Sequence, residues 1–393
     1  MNKYLLSLLL LAPLTSVIAQ ESNEKEEEAA VEEVVVTGIR SSLKNAIDIK
    51  RKNVGVVDAI TAEDIGKFPD GNLAESLSRI VGVAIDRSNV EGSKVAVRGL
   101  GPEFNLVTLN GRQMPTVPGT YGGGRSFDFG DISSHGVSAV EVYKSANAAL
   151  PTGGIGATIN MVTTKPLEVG KTVGSFAVKA MIDTENEQGD EVTPELDFVF
   201  STIGEDFNGG SWGLSFSGTH QVRHNREEGT NEITWNPSTV ENYLPPEAVV
   251  TSTNEREDNA FFYPRNLVYK HKDNERVRNN FQTAFQYELG RVRTTVDYTY
   301  SNVDFASTGV ENGAWFSGWN ARNVTINENG AVIYSDDVGQ AGKGREFFNN
   351  ILWAGSVNRN NSLGLNIDFQ VNEDLNLTFD MHDSSATIKS YGN

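Results

Sequence analysis

Two hydrophobic patterns divide this chain. Up to about residue 166 the apolar positions come in short, irregular runs, whereas beyond residue 171 they alternate strictly with polar ones over long stretches. In SFAVKAMID, Phe176, Val178, Ala180 and Ile182 share one face of an extended strand, with Ser175, Lys179 and Asp183 on the other, because successive strand side chains point to opposite faces. SWGLSFSGTH repeats the pattern, with Trp212, Leu214, Phe216 and Gly218 set against Ser211, Gly213, Ser215 and Ser217. The same period returns at Phe281, Phe285, Tyr287 and Leu289, and at Val292, Val296, Tyr298 and Tyr300. It returns again at Leu363, Leu365, Ile367 and Phe369, and at Leu375, Leu377, Phe379 and Met381. With Leu196, Phe198 and Phe200, this predicts about seven strands, each of the roughly ten-residue length that crosses a bilayer in an antiparallel β-barrel.

The connections between these strands sort by length. Those near IGEDFNGG, at Gly290 and from Asn372 to Asp374 are short, while those from about 224 to 277 and from about 304 to 361 are long and polar. Transmembrane barrels have short periplasmic turns and longer extracellular loops. If the first strand runs outward, the short links all fall on one side and the long ones on the other. A soluble sandwich has no reason to sort its loops in this way.

The first part of the chain reads as a compact mixed domain, residues 40–166. SSLKNAIDIKRKN predicts a short helix with Leu43, Ile47 and the stem of Lys50 on one side, and VGVVDAI a strand. Asn72 to Glu75 has the spacing of a capping box ahead of Leu73, Leu77 and Ile80, which predicts a second amphipathic helix. VAIDRS and VAVRG are further strands. In LVTLNGRQM, Asn110 and Gly111 tolerate the positive φ angles of a type I′ turn and so predict a hairpin. VSAVEVYKS and IGATINMVTTKP complete the set.

Ahead of this domain, Lys3, the apolar run from Tyr4 to Leu14 and the small residues ending at Ala19 have the layout of a secretory signal peptide, residues 1–19. The run is too short to span a bilayer as a helix. Removing Lys3 with it moves the net charge from −19 to about −20. Residues 20–33 hold seven glutamates against one lysine, a composition that stays solvated as a flexible leash because it cannot bury enough apolar area. The acidic balance argues against a nucleic-acid partner, and the absence of cysteine excludes disulfides and thiol chemistry. EEVVVTGIR then places Val34, Val35, Val36, Thr37 and Gly38 at the end of the leash as a strand-prone segment with no evident partner. It is either the first strand of the domain that follows or an edge awaiting another sheet.

The series EEVVVTG, VAVRGLG, LVTLNGRQMP and VEVYKSANAALPTGGIGATINMVTTKP resembles the plug domain of TonB-dependent outer-membrane receptors, preceded by a TonB box. The last stretch is most similar to the subgroup tied to oligosaccharide uptake. The resemblance implies an α+β plug inside a transmembrane antiparallel β-barrel in the outer membrane of a Gram-negative bacterium, with plug and box on the periplasmic side. It also implies a receptor and transporter, not an enzyme, that couples uptake of a scarce ligand, an oligosaccharide or a ferric siderophore, to the inner-membrane proton gradient, without a cofactor. Its partners would be TonB with the inner-membrane proteins that energise it, outer-membrane lipid and the ligand. Residues 34–38 would then be the TonB box, adding their edge to a TonB sheet by β-augmentation. With only about a dozen residues between leash start and box, no extra periplasmic signalling domain is expected.

A plugged barrel of this kind resembles the transporters of about 22 strands, and an open sheet edge is not tolerated in hydrocarbon. Residues 171–393 are therefore expected to be the N-terminal portion of a longer barrel, with a non-transporting periplasmic or surface binding module as the alternative.

For particular residues, the resemblance implies that Arg98, next to Gly99 on a plug strand, faces barrel-wall carboxylates as a latch, since a buried charge must be paired. Candidate ligand contacts are Arg112, Tyr121 and Arg125 in the turn-rich stretch from Arg112 to Gly130, and Trp315, Phe316 and Trp319 in AWFSGWN, rings of the kind that stack on sugar faces. The same rings equally fit packing of their loop or an interfacial girdle. Enzyme-like motifs fail. Gly154 and Gly156 are followed by Ile159 where a dinucleotide motif needs glycine, and His220 and His224, about 13 Å apart on a strand, are too far for one metal and read as rim or lumen residues. No metal site is expected.

Overall fold

A computed structural model describes residues 41–62, 72–88, 91–117, 124–231, 235–256, 260–339 and 347–392. The expected signal peptide (1–19), the expected leash (20–33) and the expected TonB box (34–38) lie outside the described residues, as does Tyr121. Helix α1 spans residues 41–52. Its polar side meets strand β1 (Val57–Thr61): Ser42 Oγ donates to the Thr61 carbonyl at 2.7 Å, Thr61 Oγ1 donates to the Ser42 carbonyl at 2.8 Å, and Lys50 pairs with Asp58 at 2.5 Å. Leu43 and Ile47 are exposed. The helix forms where expected, but hydrogen bonds and an ion pair hold it where an apolar stripe was expected to.

Helix α2 (Leu73–Leu77) starts at Asn72, whose side chain accepts from the Ala74 amide at 2.7 Å and donates to the Gly92 carbonyl at 2.8 Å. Glu75 does not close the capping box; it pairs with Arg87 on β2 (Val83–Ser88) at 2.5 and 2.9 Å. Strands β3 (Glu91–Val97), β4 (Asn105–Leu109), β5 (Arg112–Gln113), β6 (Val137–Tyr143) and β7 (Ala157–Thr163) follow. Among the described residues they form a β2–β3 hairpin and a mixed sheet ordered β1-β6-β7-β4-β5, with β4 and β7 parallel. Leu73, Leu77 and Ile80 bury against Val95, Val97, Leu109, Phe129, Ile132, Val140, Ile159 and Met161 in one core. Lys144, nearly buried, donates to Asp58 and to the Val81 carbonyl, both at 2.5 Å. Burial works against ionising Asp58, but hydrogen bonds from Lys144 and Lys50 hold its carboxyl below the usual range.

After the short helix α3 (Pro166–Val169), the chain enters long strands: β8 (Val173–Ile182), β9 (Val192–Phe207), β10 (Gly210–Asn231), then β14 (Asn266–Leu289), β15 (Val292–Trp315), β18 (Phe347–Gln370) and β19 (Asn376–Gly392). They pair antiparallel in chain order as a seven-stranded wall. These are the seven stretches the alternation predicts. Their lengths differ from expectation, since β14, β15 and β18 each run 24 residues. At about 3.4 Å per residue that is roughly 80 Å, well beyond an apolar band about 25 Å tall.

The long links also differ from expectation. They fold into a small unit of β11 (Trp235–Ser238), α4 (Val240–Tyr243), β12 (Val249–Ser252), β13 (Phe261–Pro264), β16 (Ala321–Ile326) and β17 (Val332–Asp337). It has its own core of Leu244, Phe261, Tyr263, Val324, Ile326 and Val332. The polar composition of the two links conceals it because each supplies only half of that core.

The wall is inside-out. On β9, Thr193, Glu195, Asp197 and Val199 are buried while Leu196, Phe198 and Phe200 are exposed. Ser215, Ser217, Thr219, Gln282, Gln286, Thr295, Asp297 and Ser301 are likewise buried, whereas Phe285, Leu289, Val296, Leu363, Phe369, Leu377 and Phe379 are exposed. Among the described residues no helix is long and apolar enough to cross a membrane, which says nothing of strands.

Candidate functional site

The plug meets the polar face of the wall through charged residues delivered by two turns. At the first, Asn110 and Gly111 adopt φ of 52° and 82°, the type I′ geometry expected. Asn110 Oδ1 accepts from the Thr163 amide at 2.9 Å, and Asn110 Nδ2 donates to Asp297 on β15 at 3.1 Å. The turn points Arg112 into the wall. Its guanidinium donates to Asp297 Oδ2 at 2.7 Å and, through two nitrogens, to Asp380 on β19 at 2.8 and 3.1 Å. Burial alone would lower the basicity of Arg112; the bonds to Asp380 and Asp297 outweigh it and raise it.

This corrects the expectation for Arg98. Arg98 is not on a strand but in the turn after β3, at φ 57° beside Gly99 at φ 76°. It is exposed and donates to the Lys144 carbonyl at 2.6 Å, within the plug. Of the two arginines it is Arg112, expected to contact ligand, that reaches wall carboxylates. The Asn-Gly turn fixes the local course of the chain at Arg112 but does not reveal what its side chain meets.

The second turn is the 3-10 segment Phe129–Asp131, capped by Asp128, whose carboxylate accepts from the Gly130 amide at 2.8 Å. The Asp131 carboxylate accepts from Asn358 at 3.4 Å and Asn360 at 3.2 Å on β18, and its carbonyl accepts from Asn280 at 3.0 Å and from Ser301. Burial, with the neighbouring Asp128 charge, pushes the Asp131 carboxyl up to about 6, the amides of Asn358 and Asn360 working the other way. Ser133 continues the seam, its amide donating to Asn280 at 2.9 Å and its hydroxyl meeting Thr219 at 2.8 Å.

Two further charge clusters sit on the seam. Glu91, at the start of β3, accepts from Arg276, from Arg278 at 3.0 Å and from Arg223 at 3.5 Å. His135 of the plug lies 3.1 Å from Asp197, and with Glu195 these groups are close enough to hold a cation. Lys179 already brings positive charge there, donating to Glu195 at 2.6 Å and Asp197 at 3.0 Å. Sequence periodicity places Glu195 and Asp197 on the inward face without revealing what they meet.

Between the second turn, Glu91 and the wall lies a cavity of about 210 Å³, lined among others by Asp128, Asp131, Arg223, Asn274, Arg276 and Asn358. It stands near the middle of β14, farther from the short links than the Arg112 site. None of the remaining ligand candidates lines it. Among the described residues, Arg125 reaches only the Gly153 carbonyl, at 3.5 Å. Trp315 stacks 5.7 Å from Phe348 under the Arg265 guanidinium, the Phe316 amide donates to the Arg265 carbonyl, and Trp319 is exposed in the turn Gly318–Asn320. Phe316 packs on the core of the small unit and Trp319 lies just ahead of β16, whereas Trp315 ends the wall strand β15. His220 meets Asn279 at 2.8 Å and His224 accepts from the Asp190 amide at 2.8 Å, while Gly154 and Gly156 lie in the link between β6 and β7.

The arrangement is a small mixed domain stitched by buried ion pairs and amide bridges to the polar side of an antiparallel wall. Residues 49–158 match the family model of the TonB-dependent Receptor Plug Domain, and this part of the chain is such a plug. Among curated proteins there is no significant match. Among solved structures, the ferric citrate transporter FecA in its unliganded form is 14% identical, with a TM-score of 0.34, over 88% of this chain and 58% of that one. The siderophore receptor PirA from Pseudomonas aeruginosa is 16% identical, with a TM-score of 0.32, over 87% of this chain and 61% of that one. The outer membrane transporter YddB from Escherichia coli is 11% identical, with a TM-score of 0.34, over 84% of this chain and 57% of that one. The chain thus spans under two thirds of the length of these structures, and the family match rests on the plug.

Proposed function

We propose that the chain is the plug and part of the barrel wall of a TonB-dependent receptor, which draws a small ligand through the outer membrane of a Gram-negative bacterium using the inner-membrane proton gradient. The observation that carries this reading beyond the plug itself is the inverted polarity of the wall. An apolar side chain left in water forgoes about 1.5–3 kcal/mol of burial, so a surface showing Phe198, Phe285, Leu363 and Phe379 outward suits hydrocarbon. The buried serines, threonines and amides opposite suit a polar lumen closed by the plug.

In this reading residues 34–38 pair with a TonB sheet, and tension on them reaches the plug within a few residues, at the Ser42–Thr61 bonds and the Lys50–Asp58 pair that join α1 to β1. Force applied there tilts or unwinds β1 from β6 and loosens the seam above. Ligand waits in the cavity at Asp128 and Asp131, on the side of the long links. The test is Val35→Pro, which deletes an amide donor needed for strand pairing. It is expected to abolish cross-linking to TonB, and an undiminished yield would overturn the assignment.

A further inference from the structure

We infer that a divalent transition-metal ion of the zinc class binds on the seam between plug and wall, held by His135 of the plug and by Glu195 and Asp197 of β9, and staples the two together. None of these residues lines the cavity at Asp128 and Asp131, and the inference holds whatever ligand the receptor carries. No sequence motif announces the site, because its imidazole and its carboxylates come from different domains.

One imidazole nitrogen and two carboxylate oxygens lie within 4.8 Å of one another, and His135 Nδ1 stands 3.1 Å from Asp197 Oδ1. Bonds of about 2.0–2.2 Å in a tetrahedral array put ligand atoms roughly 3.4 Å apart, so the cluster has to close only slightly. Glu195 and Asp197 share the inward face of β9, with side chains 4% and 2% exposed. Both are already oriented. Thr219 Oγ1 donates to Asp197 Oδ1 at 2.9 Å, and Gln221 Nε2 donates to Glu195 Oε2. Outer hydrogen bonds of this kind fix the direction of metal ligands.

The other oxygen of each carboxylate shows where a cation sits. Lys179 Nζ donates to Glu195 Oε1 at 2.6 Å and to Asp197 Oδ2 at 3.0 Å. One ammonium thus faces two buried carboxylates in direct contact, where a dication would balance both. The Lys179 side chain is 41% exposed on a flexible four-carbon stem, so it can withdraw into water, whereas the carboxylates cannot. Imidazole suits zinc, nickel and copper, while magnesium and calcium favour all-oxygen sets. With three protein ligands, a water completes the sphere, as in open zinc sites. Because His135 belongs to the plug and the carboxylates to the wall, the bound ion resists their separation.

The test is calorimetry with zinc chloride and, separately, magnesium chloride, on the protein purified without a polyhistidine tag. A single zinc ion is expected to bind, and magnesium is not. His135→Ala should weaken zinc by at least about tenfold, a loss that even an outer-shell change can cause, and should cancel the rise in thermal midpoint that zinc gives the wild type. Lys179→Met should act in the opposite direction and tighten zinc a few-fold, since the ion pair it removes is partly exposed and worth little by itself. Zinc binding that survives His135→Ala unchanged would place the ion at His220, His224, His271 or His382 and defeat the inference. So would the absence of zinc binding, or an affinity that Lys179→Met leaves unchanged or weakens. Should Lys179→Met not fold, His135→Ala decides alone.

Discussion

Arg112 of the plug and Asp297 of the wall lie 2.7 Å apart with side chains only 6% and 5% exposed. A charge pair so enclosed is costly to assemble and far more costly to break, because removing one partner strands the other in low dielectric. Arg112→Met therefore leaves the buried Asp297 without its guanidinium partner, with Asp380 beside it. Stability is expected to fall by about 3–5 kcal/mol, read as an earlier urea midpoint. Adding Asp297→Asn should restore part of the loss, and two independent, additive effects would contradict the latch.

Asp131 makes the plug–wall seam pH-dependent. Its carboxyl sits at about 6 in the folded protein against an ordinary 3.8, so folding favours the protonated form. The stability this contributes is complete below about pH 4 and is lost as pH rises through about 6. Asp131→Asn keeps a neutral group on Asn358 and Asn360. It is expected to exceed the wild type at pH 8 by on the order of 1–3 kcal/mol, with the gap closing by pH 4. A gap of constant size across that range in chemical denaturation would refute the assignment to Asp131.

Phe198 offers the corresponding test for the outer face of the wall. Phe198→Arg places a charge on the exposed apolar surface, which in a bilayer costs about 2–4 kcal/mol near the midplane. Folding into lipid vesicles should be impaired accordingly, while the same change should be nearly neutral if that face met water.

Gly111 tests the turn. At φ 82° with open space where a Cβ would stand, Gly111→Ala meets no neighbour and pays only for the left-handed backbone, roughly 1–2 kcal/mol. The thermal midpoint should drop modestly. A change at Gly154, whose Cβ would fall against the Ala157 carbonyl and Thr158, should cost more.

The wall was legible in the sequence because period-two alternation is a local property: Phe176 to Ile182 and Leu375 to Met381 declare their faces without reference to anything distant. The Asn110–Gly111 turn was legible for the same reason, as only a few residue types adopt positive φ cheaply. The small core of Phe261, Tyr263, Val324 and Ile326 was not, because its halves lie in two loops that each look polar.

The sequence by itself determined the seven wall strands and their faces, since propensity and periodicity act over a few residues. Only the tertiary structure decided which arginine meets the wall. Arg98 and Arg112 both follow plug strands, and nothing nearby in the chain says which of them lies within reach of Asp297 and Asp380, residues 185 and 268 positions beyond Arg112. Likewise His135 comes within reach of Glu195 and Asp197 only once the plug is seated against the wall. Which side chains converge on one point is a property of the assembled interior.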